Sequence, residues 1–184
     1  MRATMRMGLE PGAVVSNLNP RLLFGLTAVF CAALLGNGYY LQFVQHLEPC
    51  PMCIFQRLCY AAIVVITMLG VVHGPRRGGV YVYGVLTLIA AAIGAGIAGR
   101  QTWLQHLPED QVPACGPGLE YMLEQFPLAQ VIKQALRGTG ECAAVDWTFL
   151  TLSIAEWSLI CFSAIFLAHT VFMWSRATAR PRLF

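Results

Sequence analysis

The chain has 184 residues, of which 57% are hydrophobic and only 11% charged, whereas soluble domains carry about 25% charged residues. That deficit excludes a water-facing globule of this size. The formal charge of +3 is too small to argue for nucleic acid as a partner. The length suits one domain, 1–184.

Four apolar stretches follow in chain order, and a spanning helix needs roughly 20 such residues to cross about 30 Å of hydrocarbon. They run from about Leu22 to Phe43, Ile54 to Val72, Val80 to Gly99 and Trp157 to Trp174, and none has a charge in its middle. The first is too long and too far from Met1 for a cleavable leader, and no small-residue cleavage site follows it, so it reads as a retained span. The expected fold is an all-α membrane protein. It is a four-helix transmembrane bundle with a long outer loop carrying short amphipathic helix.

The connecting segments are sorted by charge. On one side, segments 1–21, 73–79 and 175–184 hold Arg2, Arg6, Arg21, Arg76, Arg77, Arg176, Arg180 and Arg182 against Glu10 alone. On the other, segments 44–53 and 100–156 hold Arg100, Lys133 and Arg137 against Glu48, Glu109, Asp110, Glu120, Glu124, Glu141, Asp146 and Glu156. Cations mark the cytoplasmic side, so both termini are expected there and both acidic loops outside. Trp103, Trp147 and Trp157 fall near the expected outer interface and Trp174 near the inner one, as aromatic belts do.

The cysteines sort the same way. Cys50 and Cys53 lie in the first outer loop, Cys115 and Cys142 in the second, and Cys31, Cys59 and Cys161 inside spans. Disulfides persist in oxidising compartments, and four outer cysteines allow three connectivities. The span cysteines read as small apolar packing residues. The sharpest feature is Glu48-Pro49-Cys50-Pro51-Met52-Cys53-Ile54-Phe55-Gln56-Arg57. A Cys-x-x-Cys pair lowers a cysteine pKa, and a helix N-terminus favours a thiolate through its free N–H groups and dipole. Arg57 shares a helix face with Cys53, four residues on. An ionisable residue in a span is a functional candidate, although Arg57 could equally snorkel to the interface. A zinc site would need a second close Cys or His pair, and only His46 is near, so no metal is expected.

The second outer loop is long enough to suggest function. Leu119, Met122, Leu123 and Phe126 follow a helical spacing, Pro127 interrupts it, and Leu128, Val131, Ile132, Ala135 and Leu136 resume it. These are one or two short amphipathic helices, lying on the membrane surface or packing on the spans from above. Pro113, Gly116, Pro117 and Gly118 surround Cys115, and Gly138 and Gly140 precede Cys142. A Cys115–Cys142 bond would close the segment and stabilise it by about 3 kcal/mol. The flexible flanks suit a bond that is opened and remade, and a purely structural staple is the alternative. In the third span, Gly94, Gly96 and Gly99 permit close helix approach.

On these residues the chain resembles the DsbB family, disulfide bond formation proteins of the bacterial inner membrane. The likeness covers nearly the whole chain. It includes the four spans, Pro49-Cys50-Pro51-Met52-Cys53 with Arg57, the second cysteine pair, and Gly140-Glu141-Cys142-Ala143 continuing to Trp147 and Glu156-Trp157. The resemblance implies a multi-pass protein-dithiol:quinone oxidoreductase with periplasmic active cysteines, supporting disulfide bond formation. It would reoxidise a periplasmic DsbA-like thiol oxidase and pass electrons to a membrane quinone, ubiquinone or menaquinone. It also assigns roles. Cys115 forms the mixed disulfide with the partner, and Cys142 is its mate. Cys50 and Cys53 reoxidise that pair by thiol–disulfide exchange, which needs an accessible sulfur and a thiolate. Cys53 faces the quinone, and Arg57 stabilises the negative charge there. Family members can carry a His at the outer end of the third span, where this chain reads Arg100-Gln101-Thr102. Gln101 or Gln105 can supply polar contacts instead, while His46 and His106 read as solvated or interfacial. The competing readings are a disulfide-stapled tetraspan structural protein, a metal transporter or sensor, and a quinone enzyme like vitamin K epoxide reductase, whose Cys-x-x-Cys falls late in the bundle.

Overall fold

The computed structural model describes residues 19–75, 77–114 and 119–178. Cys115 lies outside the described residues, as do Arg2, Arg6, Glu10, Arg76, Arg180 and Arg182.

Four long helices carry the fold: α1 (Pro20–Phe43), α2 (Pro51–His73), α3 (Arg77–Gln105) and, last in the chain, α7 (Ile154–Thr178). All four are long and apolar enough to cross a membrane. Their ends follow local chemistry. Asn19 caps α1, its side chain accepting from the Arg21 N–H at 3.0 Å with Pro20 in the first turn. α2 starts on Pro51 and stops at Gly74, whose φ of 56° sits in the left-handed region that glycine tolerates. α3 runs past the expected span to Gln105, which brings Gln101 onto helix rather than loop.

α1 packs on α2, α2 on α3 and α3 on α7. The central core joins Cys31, Tyr60, Ile63, Ala91, Ala98, Phe162 and Ile165. Cys31 is fully buried there and Cys59 and Cys161 pack against it, as small apolar residues do. Of the three glycines expected to permit close approach, only Gly94 is needed for it. A Cβ there would meet the Phe162 ring at 2.5 Å, whereas Gly96 faces open space and Gly99 has ordinary contact with Leu159. Phe162 in turn stacks on Tyr60 with ring centroids 4.0 Å apart. Large apolar side chains such as Val29, Leu58, Val72, Val82, Leu167 and Trp174 point outward. Polar Thr27, Gln56, Thr67, Thr87, Gln101 and His169 point inward. This inside-out sorting is what lipid surroundings select. α1 meets α7 through Thr27 Oγ1 and His169 Nε2, 3.1 Å apart, and through Phe24 stacked on the His169 ring.

The long loop forms a cap. α4 (Leu119–Gln125) and α5 (Leu128–Arg137) fall either side of Pro127, as the pattern predicts. Met122, Val131 and Ala135 are buried, while Leu123, Phe126, Leu128 and Leu136 remain exposed. One stripe therefore packs inward, as the second expected arrangement has it, and the other is exposed. The short α6 (Gly140–Ala143) packs on α2 and α3. A two-stranded hairpin, β1 (Thr148–Phe149) with β2 (Leu152–Ser153), leads into α7. Its tip residues Leu150 and Thr151 take φ of 51° and 69°, and no glycine announces that turn.

Candidate active site

Cys50 is the N-cap of α2, its sulfur accepting from the Cys53 N–H at 3.4 Å. The free donor end of the helix thus serves Cys50 directly and holds Cys53 in the first turn. The two sulfurs lie 3.0 Å apart. Pro49 and Pro51 bracket Cys50 and restrict the chain on both sides. The described cysteines are all free thiols.

From α3, Gln101 reaches both sulfurs, its Nε2 donating to Cys50 and to Cys53 at 3.3 Å each. The Gln101 Oε1 accepts from Gln56 Nε2 at 2.8 Å. From the cap, Cys142 is buried against Met52 and Leu104, with Cys50 packed on the same cluster. Hydrogen bonding ties these thiols together. Hydrogen bonding with Cys142 first and Cys53 second, together with burial, pushes Cys50 well above the ordinary thiol range. The bond with Cys50, joined against burial by hydrogen bonds from Thr139 and the Met52 backbone, pushes Cys142 down to about 6. Cys142 thus favours its thiolate more than a free thiol does. The Gly140 N–H donates to the Ala114 carbonyl at 3.4 Å, so the residue before Cys115 lies beside the start of α6.

Arg57 projects toward α1. Its guanidinium donates to Gln42 Oε1 and, at 2.9 Å, to the Gly38 carbonyl, and lies over the Tyr39 ring at 5.2 Å. These bonds hold the cation against α1 at the end of the bundle that carries the thiols. Cys53 and Arg57 share the wall of a cavity of about 320 Å³, together with Gly38, Leu41, Tyr60, Trp157 and Ser158. The wall is mainly apolar, with Arg57 as its cation, the thiols of Cys50, Cys53 and Cys161, and the carboxylates of Glu48, Glu141 and Asp146. Trp147, Phe149 and Trp157 form an aromatic ladder with centroids 6.1 Å apart at each step. Ser153 Oγ donates to Gln105 Oε1, and Glu156 Oε2 accepts from the Ser153 N–H, both at 2.7 Å. His106 is mostly exposed, with Glu156 at 3.7 Å. His46 is an exposed turn residue at φ 57°.

Cys50, Cys53, Cys142 and Arg57 are therefore brought to one end of the bundle. Sequence reasoning missed Gln56 and Gln42, the partners that orient Gln101 and Arg57. Gln56 carried a readable signal, because it is a polar side chain three residues after Cys53 on an apolar helix, hence on the same face.

Four apolar helices with thiols, a cation and a cavity gathered at one end define an integral-membrane thiol protein. Residues 20–172 match the family model described as disulfide bond formation protein DsbB. Three relatives carry the name disulfide bond formation protein B. The one from Azoarcus sp. (strain BH72) is 53% identical over 146 residues, covering 79% of this chain and 87% of the relative. The Marinobacter nauticus protein is 45% identical over 166 residues, 90% of this chain and 99% of the relative. The Hahella chejuensis protein is 47% identical over 165 residues, 90% and 98% respectively. The chain belongs to the DsbB family, and disulfide bond formation is the role that membership carries.

Proposed function

We propose that the chain is a protein-dithiol:quinone oxidoreductase of the bacterial inner membrane, with both termini cytoplasmic and its thiols in the periplasm. The observation that carries this reading is the position of the Cys50–Cys53 pair. It has Cys142 on its cap side and an apolar cavity with Arg57 on its bundle side.

The residues fit the head group of a quinone. The cavity is large enough for a flat ring, its walls are apolar and aromatic, and its rim offers the Arg57 cation and the Cys53 sulfur. A quinone held there by Arg57 and the apolar wall would supply a two-electron acceptor. The chain's own residues do the rest. A reduced DsbA-like partner attacks a Cys115–Cys142 disulfide at Cys115, forming a mixed disulfide and releasing Cys142. The Cys142 thiolate attacks Cys50 of the Cys50–Cys53 disulfide. The Cys142–Cys50 bond forms, the Cys50–Cys53 bond breaks, and the negative charge passes to Cys53. Arg57 stabilises charge at the cavity rim, held there by Gln42 and Gly38. Two pairs are needed because one must reach a soluble partner while the other stays beside a lipid-soluble acceptor.

The test uses purified protein, a reduced DsbA-like oxidase and a quinone. With Cys50→Ser, which leaves Cys142 no onward disulfide to attack, a reduced partner lacking its second active-site cysteine is expected to open the Cys115–Cys142 bond and stay trapped as a disulfide at Cys115. A partner captured at another cysteine, or at none, contradicts the assignment.

A further inference from the structure

Gln101 is 3% exposed and its amide is fully engaged at both ends. We propose that Gln101 is a catalytic residue of the exchange, a fixed neutral donor that holds both sulfurs and receives the negative charge arriving on Cys53, and that Gln56 is its positioning residue. The proposal rests on the exchange reading above and adds to it the group that answers the charge.

An amide has a donating end and an accepting end, and only the first suits a thiolate. Turned round, the Gln101 carbonyl would face the sulfurs and repel the charge. The Gln56 N–H at 2.8 Å from Oε1 opposes that turn, because reversal would set two N–H groups against each other. Both side chains stand on long helices and both are buried, Gln56 at 2% exposed, so the donor is set before the reaction begins. Such preorganised donors in a water-excluded site act far more strongly than in water. When Cys142 attacks Cys50, the Cys50–Cys53 bond breaks and its electron pair stays on Cys53, with no net gain or loss of protons or electrons. The donor is 3.3 Å from the sulfur that leaves and equally close to the sulfur under attack. The longer 3.7 Å contact lets the Cys53 thiol donate a hydrogen bond to Gln101 Oε1 when it is protonated. A leaving thiol that is better stabilised departs faster. A neutral amide also keeps the same charge at every pH, unlike a histidine.

The charged and titratable groups around this pair are Cys50, Arg57 and Tyr60 with α2, Cys142 and Glu141 on α6, and Cys161 on α7. Glu48 and Asp146 complete the rim. None of these residues is itself changed in Gln101→Leu or Gln56→Leu.

The experiment takes the reduced full-length chain, with iodoacetamide as the probe across a pH series and mass spectrometry to identify the modified cysteine. Gln101→Leu is expected to move the midpoint of Cys53 alkylation upward, with about tenfold less reactive thiolate at neutral pH. Quinone-coupled kcat should fall by a similar factor at unchanged quinone KM. Gln56→Leu should move both in the same direction by less, and Gln101→His, which restores a donor, should recover most of the loss. An unchanged Cys53 midpoint in Gln101→Leu and Gln56→Leu overturns the proposal. If Gln101→Leu does not fold, Gln56→Leu and the shorter Gln101→Asn decide the matter by the same readout. The alkylation profile needs neither quinone nor partner. A parent chain that fails to reduce quinone while Gln101→Leu still moves the Cys53 midpoint overturns the exchange reading, and with it Gln101's part in catalysis, but leaves the donor contact to Cys53 standing.

Discussion

Cys142 is buried beside Cys50, with its thiol pushed down to about 6 from the ordinary 9.0. That gap corresponds to about 4 kcal/mol favouring the thiolate. A single hydrogen bond to a charged group is worth about 1.5–3 kcal/mol, so the Cys50 thiol cannot supply all of it, and Thr139 and the Met52 backbone must share the load. Cys50→Ala removes the leading contributor and keeps the others. The Cys142 midpoint in the reduced chain should then rise by about one to two pH units and stay below the ordinary value. Thiolate absorbance in the ultraviolet reads this directly, as the difference between the chain and its Cys142→Ser variant. The sign also fixes a stability effect. Because the folded value is lowered, the thiolate stabilises the reduced fold in full above about pH 9. That contribution declines as pH falls and is gone below about 6. A Cys142 midpoint that does not move in Cys50→Ala, or one near 9 in the parent, refutes the hydrogen-bonded triad.

Three further outcomes follow from the geometry. Arg57→Met should lower quinone-coupled turnover more than it harms folding, and Arg57→Lys should fall between, since it keeps the charge but loses the fork that spans Gln42 and Gly38; steady-state kinetics with equal turnover in all three would remove the role given to Arg57. Gly94→Ala should destabilise the bundle by about 1–3 kcal/mol through the 2.5 Å approach of Phe162, with Phe162→Leu restoring part of the loss in a detergent unfolding series. Thr151→Gly should raise stability by about 1 kcal/mol by relieving the φ of 69°, read as a higher unfolding temperature.

The four spans were legible because lipid imposes a length and a polarity that few other structures share. Pro127 likewise announced the break between α4 and α5, since proline cannot continue a helix from within. The site was legible only in part. Cys50, Cys53 and Arg57 are close in sequence, and helical spacing alone puts the last two on one face. Cys142 beside Cys50, and Gln101 beside Gln56, are meetings of distant segments that no local period encodes. The extra turn of α3 that carries Gln101 was hidden because hydropathy marks the end of the apolar run rather than the end of the helix. His169 was missed although a lone ionisable side chain in an apolar span was the signal for it. The hairpin between Trp147 and Trp157 stayed dark because Leu150 and Thr151 occupy a turn that glycine or asparagine usually marks.

The central claim is that electrons from a partner dithiol reach a quinone through Cys50 and Cys53. The most direct measurement follows quinol formed and partner disulfide formed in the same reaction, with the parent chain and with Cys50→Ser and Cys53→Ser. One quinol per partner disulfide, abolished by either substitution, is the expected result. Quinone reduction that survives loss of either sulfur contradicts the account.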